Sequence, residues 1–225
     1  MAEQKHTHDP LDMEEALSTS EAFIIKYKNK VLGGIAAVVI IIVAFLGYQH
    51  FISEPNEIKA AEALAKGEKY FRESNFHYAL SGDSLGFEGF LGVANKYSGT
   101  KSGNIAKAYA GVCLAQMGKY EEAIKAIDSF DGEDLFITPA LVGTMGNCYA
   151  QLGQYDKAAA TLVTAAEKAN SQALSPIYLV QAGELYEKLG KNSEAVKAYK
   201  TVKEKYFSSY LAMDIDKYIE RASSK

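Results

Sequence analysis

A pattern of small and aromatic residues recurs in this chain at intervals of 35 and 37 positions and limits the folds that it can adopt. In one copy, Gly146 and Gly153 lie among apolar residues at three- and four-residue steps, which predicts a pair of short helices. Thr138 is expected to cap the first helix, and Pro139 suits its first turn. A helical pair of this size cannot bury its apolar face alone, so neighbouring pairs must stack. The matching sets are Gly146, Tyr149, Gly153, Tyr155, Ala158 and Leu162, then Gly111, Leu114, Gly118, Tyr120, Ala123 and Ile127, and finally Gly183, Tyr186, Gly190, Asn192, Ala195 and Tyr199.

A second constraint is the run from Val31 to Ile52, whose 22 residues carry no formal charge. A helix of that length spans about 33 Å, enough for a bilayer core. The preceding polar region is too long for an ordinary signal peptide, and no small-x-small cleavage pattern follows the run. Three lysines precede it and two glutamates follow it, which predicts a cytoplasmic N-terminus. These flanking residues are Lys26, Lys28, Lys30, Glu54 and Glu57.

The repeat pattern resembles the tetratricopeptide repeat. We therefore predict an all-α fold, with a single N-terminal transmembrane helix followed by a short tetratricopeptide-repeat solenoid. The predicted segments are a cytoplasmic tail (1–30, partly disordered and then helical), a transmembrane helix (31–52) and a periplasmic domain (53–225). Within that domain we expect a degenerate unit (57–103), three repeats (104–137, 138–174 and 175–207) and a terminal helix (208–222) that covers the open end.

The composition and motifs offer no support for catalysis or nucleic-acid binding. The net charge is −4, and no block of basic residues is present. We find no nucleophile motif, no glycine-rich dinucleotide loop and no metal-binding constellation. His6 and His8 form a pair, but no other ligand lies near them in the sequence. Cys113 and Cys148 occupy equivalent positions in adjacent repeats. A disulfide is possible in an oxidising compartment, but neighbouring packed helices usually lie farther apart than a disulfide spans, so buried free thiols are the favoured interpretation. We expect no enzyme activity, cofactor, metal or small-molecule substrate.

The resemblance to tetratricopeptide arrays implies that the first helix of each pair lines a concave groove that contacts a partner protein. A lysine- and asparagine-rich clamp for acidic tails is not expected, because only Asn147 suits it. A mostly apolar groove fits an unfolded or helical segment better, although the terminal helix would be able to cover so short a groove. Carried onto this chain, the groove positions are Ala108, Val112, Ala115, Gly143, Asn147, Ala150, Val180, Glu184 and Glu187.

The whole layout resembles the YfgM-like family of bitopic inner-membrane tetratricopeptide-repeat proteins, which are ancillary subunits of the Sec translocon. The resemblance implies a scaffold in the bacterial inner membrane that faces the periplasm. It also implies that this scaffold works with the translocon and a membrane-anchored chaperone on emerging proteins. The alternative is a scaffold for another cell-envelope or cell-division complex.

Overall fold

The computed structural model describes the backbone of residues 10–224 and the side chains of residues 26–224. Every regular element in this part of the chain is a helix, which confirms the predicted all-α class. The chain divides into two compact units between Pro55 and Asn56. The pair formed by His6 and His8 lies outside the described residues.

The first unit contains the apolar run. Helix α1 spans Pro10–Tyr48, and a π-helical segment, Gln49–Ser53, follows it. The large apolar side chains between Val31 and Ile52 are exposed. This helix is long and apolar enough to cross a membrane.

The second unit is an array of antiparallel helix pairs. Its first part comprises α2 from Asn56 onward (the helix spans Glu54–Arg72), α3 (Phe76–Ser81) and α4 (Gly89–Lys96). Three regular pairs follow, in which each first helix packs against its second helix and each second helix against the next pair. They are α5 (Lys101–Gln116) with α6 (Tyr120–Asp128), α7 (Ile137–Gln151) with α8 (Tyr155–Ala169), and α9 (Ser175–Lys188) with α10 (Asn192–Lys205). A 3₁₀ turn (Tyr210–Met213) and α11 (Ile215–Ser223) end the described chain.

One recurrent glycine makes the tight turn within each regular pair. Gly118, Gly153 and Gly190 have φ angles of +76°, +72° and +70°, a region that L side chains adopt only at a cost. In the turn between α2 and α3, Ser74 stands at the equivalent position and has a φ angle of +56°. The same turn is therefore built four times, and its first copy carries strain that glycine relieves in the others.

A second recurrent glycine lets the two helices of a pair approach. A Cβ added at Gly111, Gly146 or Gly183 would lie less than 3 Å from a large side chain of the partner helix. These side chains are Ile127, Leu162 and Tyr199. The equivalent Gly67 instead faces Phe90 of α4, because α3 ends at Ser81 and is too short to supply that side chain. Helix α4 therefore completes the packing of the degenerate unit.

The predicted capping role of Thr138 is wrong, because α7 begins one residue earlier, at Ile137. The carboxylate of Asp134 accepts the N–H groups of Phe136 and Ile137, and the Thr138 hydroxyl donates to the Gly132 carbonyl. In the equivalent Ser175, the hydroxyl donates to a carbonyl at the end of the preceding helix, 2.7 Å away at Ala166. These hydroxyls therefore hold the loops between pairs and do not cap the following helix.

The two cysteines are free and buried. Both belong to a core cluster that also contains Phe90, Val93 and Leu114. Burial raises the pKa of the Cys113 thiol to about 12 and raises that of Cys148 as well. Both side chains therefore act as small apolar residues of the packing between pairs.

The last pair is covered by α11. Ile215 and Ala222 of this helix are buried against α10. Arg221 donates hydrogen bonds to both carboxylate oxygens of Glu187 on α9, from Nε to Oε2 at 3.1 Å and from Nη2 to Oε1 at 2.6 Å. The Glu187 side chain is only 6% exposed. The terminal helix thus covers the apolar end of the array and joins both helices of the last pair.

Candidate protein-binding groove

An apolar groove lies between the first helices of two adjacent pairs, α5 and α7. Its volume is about 330 Å³. Each helix contributes four residues at the spacing i, i+3, i+4 and i+7, which places them on one face. The lining residues are Ile105, Ala108, Tyr109 and Val112 of α5, Ile137, Ala140, Leu141 and Thr144 of α7, together with Phe71 and Phe136.

The hydroxyl groups that line the groove are already hydrogen-bonded. The Tyr109 hydroxyl donates to Glu68 Oε1 at 3.2 Å, and Thr144 Oγ1 donates to the Ala140 carbonyl at 2.9 Å. No lining side chain carries a formal charge. The surface that remains for a ligand is therefore mainly carbon, which favours apolar side chains and disfavours an acidic tail.

The rim of the groove is held in place by an ionised carboxylate. Burial acts to raise the pKa of Asp134, but hydrogen bonds from the N–H groups of Ile137 and Phe136 outweigh it and keep the pKa below its ordinary value. These bonds fix the start of α7 and display Phe136 on the surface. Leu135 beside it is also exposed.

Two of the predicted groove residues, Ala108 and Val112, do line this groove. Gly143 and Val180 do not line it and are buried, and Ala108 is also mostly buried although it borders the groove. At Gly143, a Cβ would lie 2.5 Å from the ring of Tyr178 on α9. Gly143 therefore lies where α7 packs against α9, which removes it from the surface.

The remaining predicted positions divide into two groups. Asn147 and Glu184 are exposed, and Ala115 and Ala150 are half-buried, but none of the four lines the groove. Glu187 forms the ion pair with Arg221 of α11. Whether these positions contact a partner stays a prediction, and Glu187 already has a structural role.

Eight of the ten lining residues were not predicted, although the sequence carries a signal for them. The apolar stripes in the first halves of α5 and α7 repeat the i, i+3, i+4, i+7 spacing. The stripe chosen from the sequence lies farther along each first helix. The missed residues are Phe71, Ile105, Tyr109, Phe136, Ile137, Ala140, Leu141 and Thr144.

Comparison with known families supports the repeat interpretation. Family models of the tetratricopeptide repeat match residues 141–167 and 178–206. The chain carries tetratricopeptide repeats. The two matched repeats lie in α7–α8 and α9–α10, and α5–α6 shares their turn and packing glycines. No curated protein matches the chain. Such repeats are protein-interaction scaffolds that present concave binding surfaces.

The described residues contain no cluster suited to metal binding. Among them, no three His, Cys, Asp or Glu side chains lie close enough together to hold an ion. The Cys113 thiol is buried away from solvent, and burial raises its pKa to about 12. The thiol is therefore held in its neutral form, which is not nucleophilic.

Proposed function

We propose that this chain is a non-catalytic, membrane-anchored scaffold that binds a protein segment in the groove between α5 and α7. The observation that carries the proposal is the groove itself: about 330 Å³ of apolar space on the first helices of a tetratricopeptide array. Its hydroxyls are engaged within the protein, so a bound segment gains most by burying apolar side chains. A helical or unfolded segment with one or two large apolar residues suits this volume.

We further propose that the array lies outside the cytoplasm of a bacterial cell and works near the Sec translocon with a membrane-anchored chaperone. The support for the orientation is the lysine-rich flank before Val31 and the glutamates after Ile52. The support for the partners is the resemblance of the layout to ancillary translocon subunits. An apolar groove agrees with a role in holding segments that have not yet folded.

Site-specific crosslinking in membranes tests the groove. A photo-crosslinking residue at Ala140, which is exposed within the groove, should capture a protein partner. The same residue at Lys125, an exposed position of the second helix α6, serves as the control and should not. Equal capture at both positions, or no capture at Ala140, would rule out the groove as the binding surface.

The identity of the captured protein separates the two scaffold roles. Translocon subunits, a chaperone or emerging chains support a role in export, whereas cell-division or other envelope proteins support the alternative. Substitution Ala140→Glu should reduce capture without unfolding, because the new carboxylate extends into an uncharged groove from an exposed site. Val112→Glu is a poorer variant, since Val112 is half-buried against Ala108 and Leu141.

A reporter fused after Lys225 tests the orientation. A reporter that is active only outside the cytoplasm should be active, and one that needs the cytoplasm should be silent. The reverse result would overturn the periplasmic assignment and leave the groove untouched.

A further inference from the structure

The connections between successive helix pairs meet at one edge of the array, here called the inter-repeat edge. It comprises residues 97–100, 129–136, 170–174 and 206–214. At its centre, the Asn104 side chain pairs with the backbone of Asp131, accepting the N–H at 2.9 Å and donating to the carbonyl. Farther along, Gln172 donates to the Lys205 carbonyl at 3.0 Å and accepts the Ser208 hydroxyl at 2.9 Å. The loops are thus tied to the helix ends beside them.

The start of α2 belongs to the same edge. Its Glu57 carboxylate accepts the N–H groups of Lys101 and Ser102 at 2.6 and 3.0 Å, and the Ser102 hydroxyl at 2.6 Å. These are the first residues of α5, which begins at the inter-repeat edge. Residue 57 is therefore fixed to this edge by three hydrogen bonds.

The inter-repeat edge is unusually apolar for an exposed surface. Six large apolar side chains of the array are at least 69% exposed, and only Leu85 among them lies elsewhere. The opposite edge, formed by the turns within pairs, exposes Lys119, Gln154 and Lys191 instead. The five apolar side chains at the inter-repeat edge are Leu135, Phe136, Phe207, Tyr210 and Met213. The inter-repeat edge is therefore suited to an apolar environment, whereas the opposite edge is suited to water.

Chain length limits how far this edge lies from the apolar run. Glu57 follows Ile52 by five residues, which reach at most about 18 Å when fully extended. If Val31–Ile52 crosses a bilayer, Glu57 and the start of α5 to which it is bonded stay within about that distance of the bilayer surface, which holds one end of the inter-repeat edge near the membrane. The opposite edge has no such tether.

We propose that the inter-repeat edge contacts the lipid surface, with Phe207, Tyr210 and Met213 inserted at the level of the headgroups. The proposal rests on the membrane anchoring in the proposed function, but it does not depend on the protein partner. Aromatic side chains prefer this interface, where an apolar ring is buried and a hydroxyl stays hydrated. The mouth of the groove, marked by Phe136, then opens beside the membrane.

The contact is apolar and not electrostatic. Asp131, Glu133 and Asp134 lie at the edge, and residues 54–225 carry 20 basic and 22 acidic residues, so no excess of cations attracts anionic lipid. Binding to the surface should therefore be similar on zwitterionic and anionic bilayers. Dependence on anionic lipid would identify a different kind of contact.

The chain contains no tryptophan, which makes a direct test possible. Full-length Phe207→Trp is reconstituted into phosphatidylcholine vesicles that contain a nitroxide near the headgroup end of the acyl chain. Because interfacial side chains insert roughly 5–10 Å, we expect about twofold more quenching than for Gln154→Trp, the matched reporter on the opposite edge. Met213→Trp is a second reporter at the inter-repeat edge, should the first variant fold poorly.

The outcomes separate this inference from the proposed function. Stronger quenching at Phe207 and Met213 than at Gln154, with or without phosphatidylglycerol, supports the lipid contact. Equal quenching in a chain that floats with the vesicles overturns it and leaves the anchor and the groove in place. Quenching that appears only with phosphatidylglycerol overturns the apolar contact. A chain that does not float with vesicles overturns both this inference and the proposed anchor.

Discussion

The close approach of α7 and α8 at Gly146 provides a sharp test of the repeat packing. Substitution Gly146→Leu places a side chain where a Cβ alone would lie 2.8 Å from Leu162 Cγ and 3.3 Å from the Leu162 backbone nitrogen. Leu162 is almost completely buried, so its side chain has no open space into which it can move. The two helices must therefore separate.

The magnitude follows from two opposing terms. Replacing glycine by leucine within a helix favours the helix by about 0.8 kcal/mol. Overpacking a filled core costs about 1–3 kcal/mol, and the nearby backbone atom places this site at the upper end. We expect a net loss of about 2 kcal/mol. For an array of this size, that loss lowers the Tm by roughly 4–8 °C.

Thermal unfolding followed by far-ultraviolet circular dichroism measures this loss. The control is Gly99→Leu, because a Cβ at Gly99 meets nothing within 4 Å and that glycine has no positive φ. Gly132, in the loop before α7, is less suitable because a Cβ there would contact the ring of Phe130. The same Tm for the Gly146 and Gly99 variants would refute the assigned packing of the repeats.

Three further predictions concern individual contacts. Ser74→Gly should stabilise the array by about 0.5–1 kcal/mol in denaturant unfolding, because it relieves a positive φ; a loss of stability would contradict this account of the turn. Burial acts to raise the pKa of Glu57, but hydrogen bonds from Ser102 and Lys101 hold it below the ordinary 4.5, so this contact stabilises the protein above that pH. The stability advantage over Glu57→Gln should shrink as the pH falls through the lowered pKa, whereas a constant difference would show that ionisation is irrelevant. Arg221→Met should cost about 2 kcal/mol, because it removes charged hydrogen bonds from the buried Glu187. Lys203→Met, which breaks an exposed pair with Asp216, should cost less than about 0.5 kcal/mol. Equal losses for the two variants would show that the Arg221–Glu187 contact contributes no more than an exposed ion pair.

Features that depend on local backbone geometry and on the repeat period can be predicted from the order of the amino acids. The turn glycines at 118, 153 and 190 require a positive φ, and Gly111, Gly146 and Gly183 require close helix contact. Because these glycines recur at a nearly constant spacing, the repeat can be recognised from the amino-acid sequence alone. The length of the apolar run in the N-terminal helix is likewise a property of composition. Its ability to span a bilayer can therefore be predicted without knowledge of the fold.

Features that join distant segments became apparent only in the folded array. The pairing of Phe90 with Gly67, the bonds of Glu57 to α5 and the clamp of Arg221 on Glu187 cross between 23 and 45 positions of the chain. No local pattern marks such pairs, because each residue alone suits many neighbours. The groove shows the same limit. Its positions on α5 and α7 depend on how much surface each first helix loses to the next, and that is a property of the assembled array.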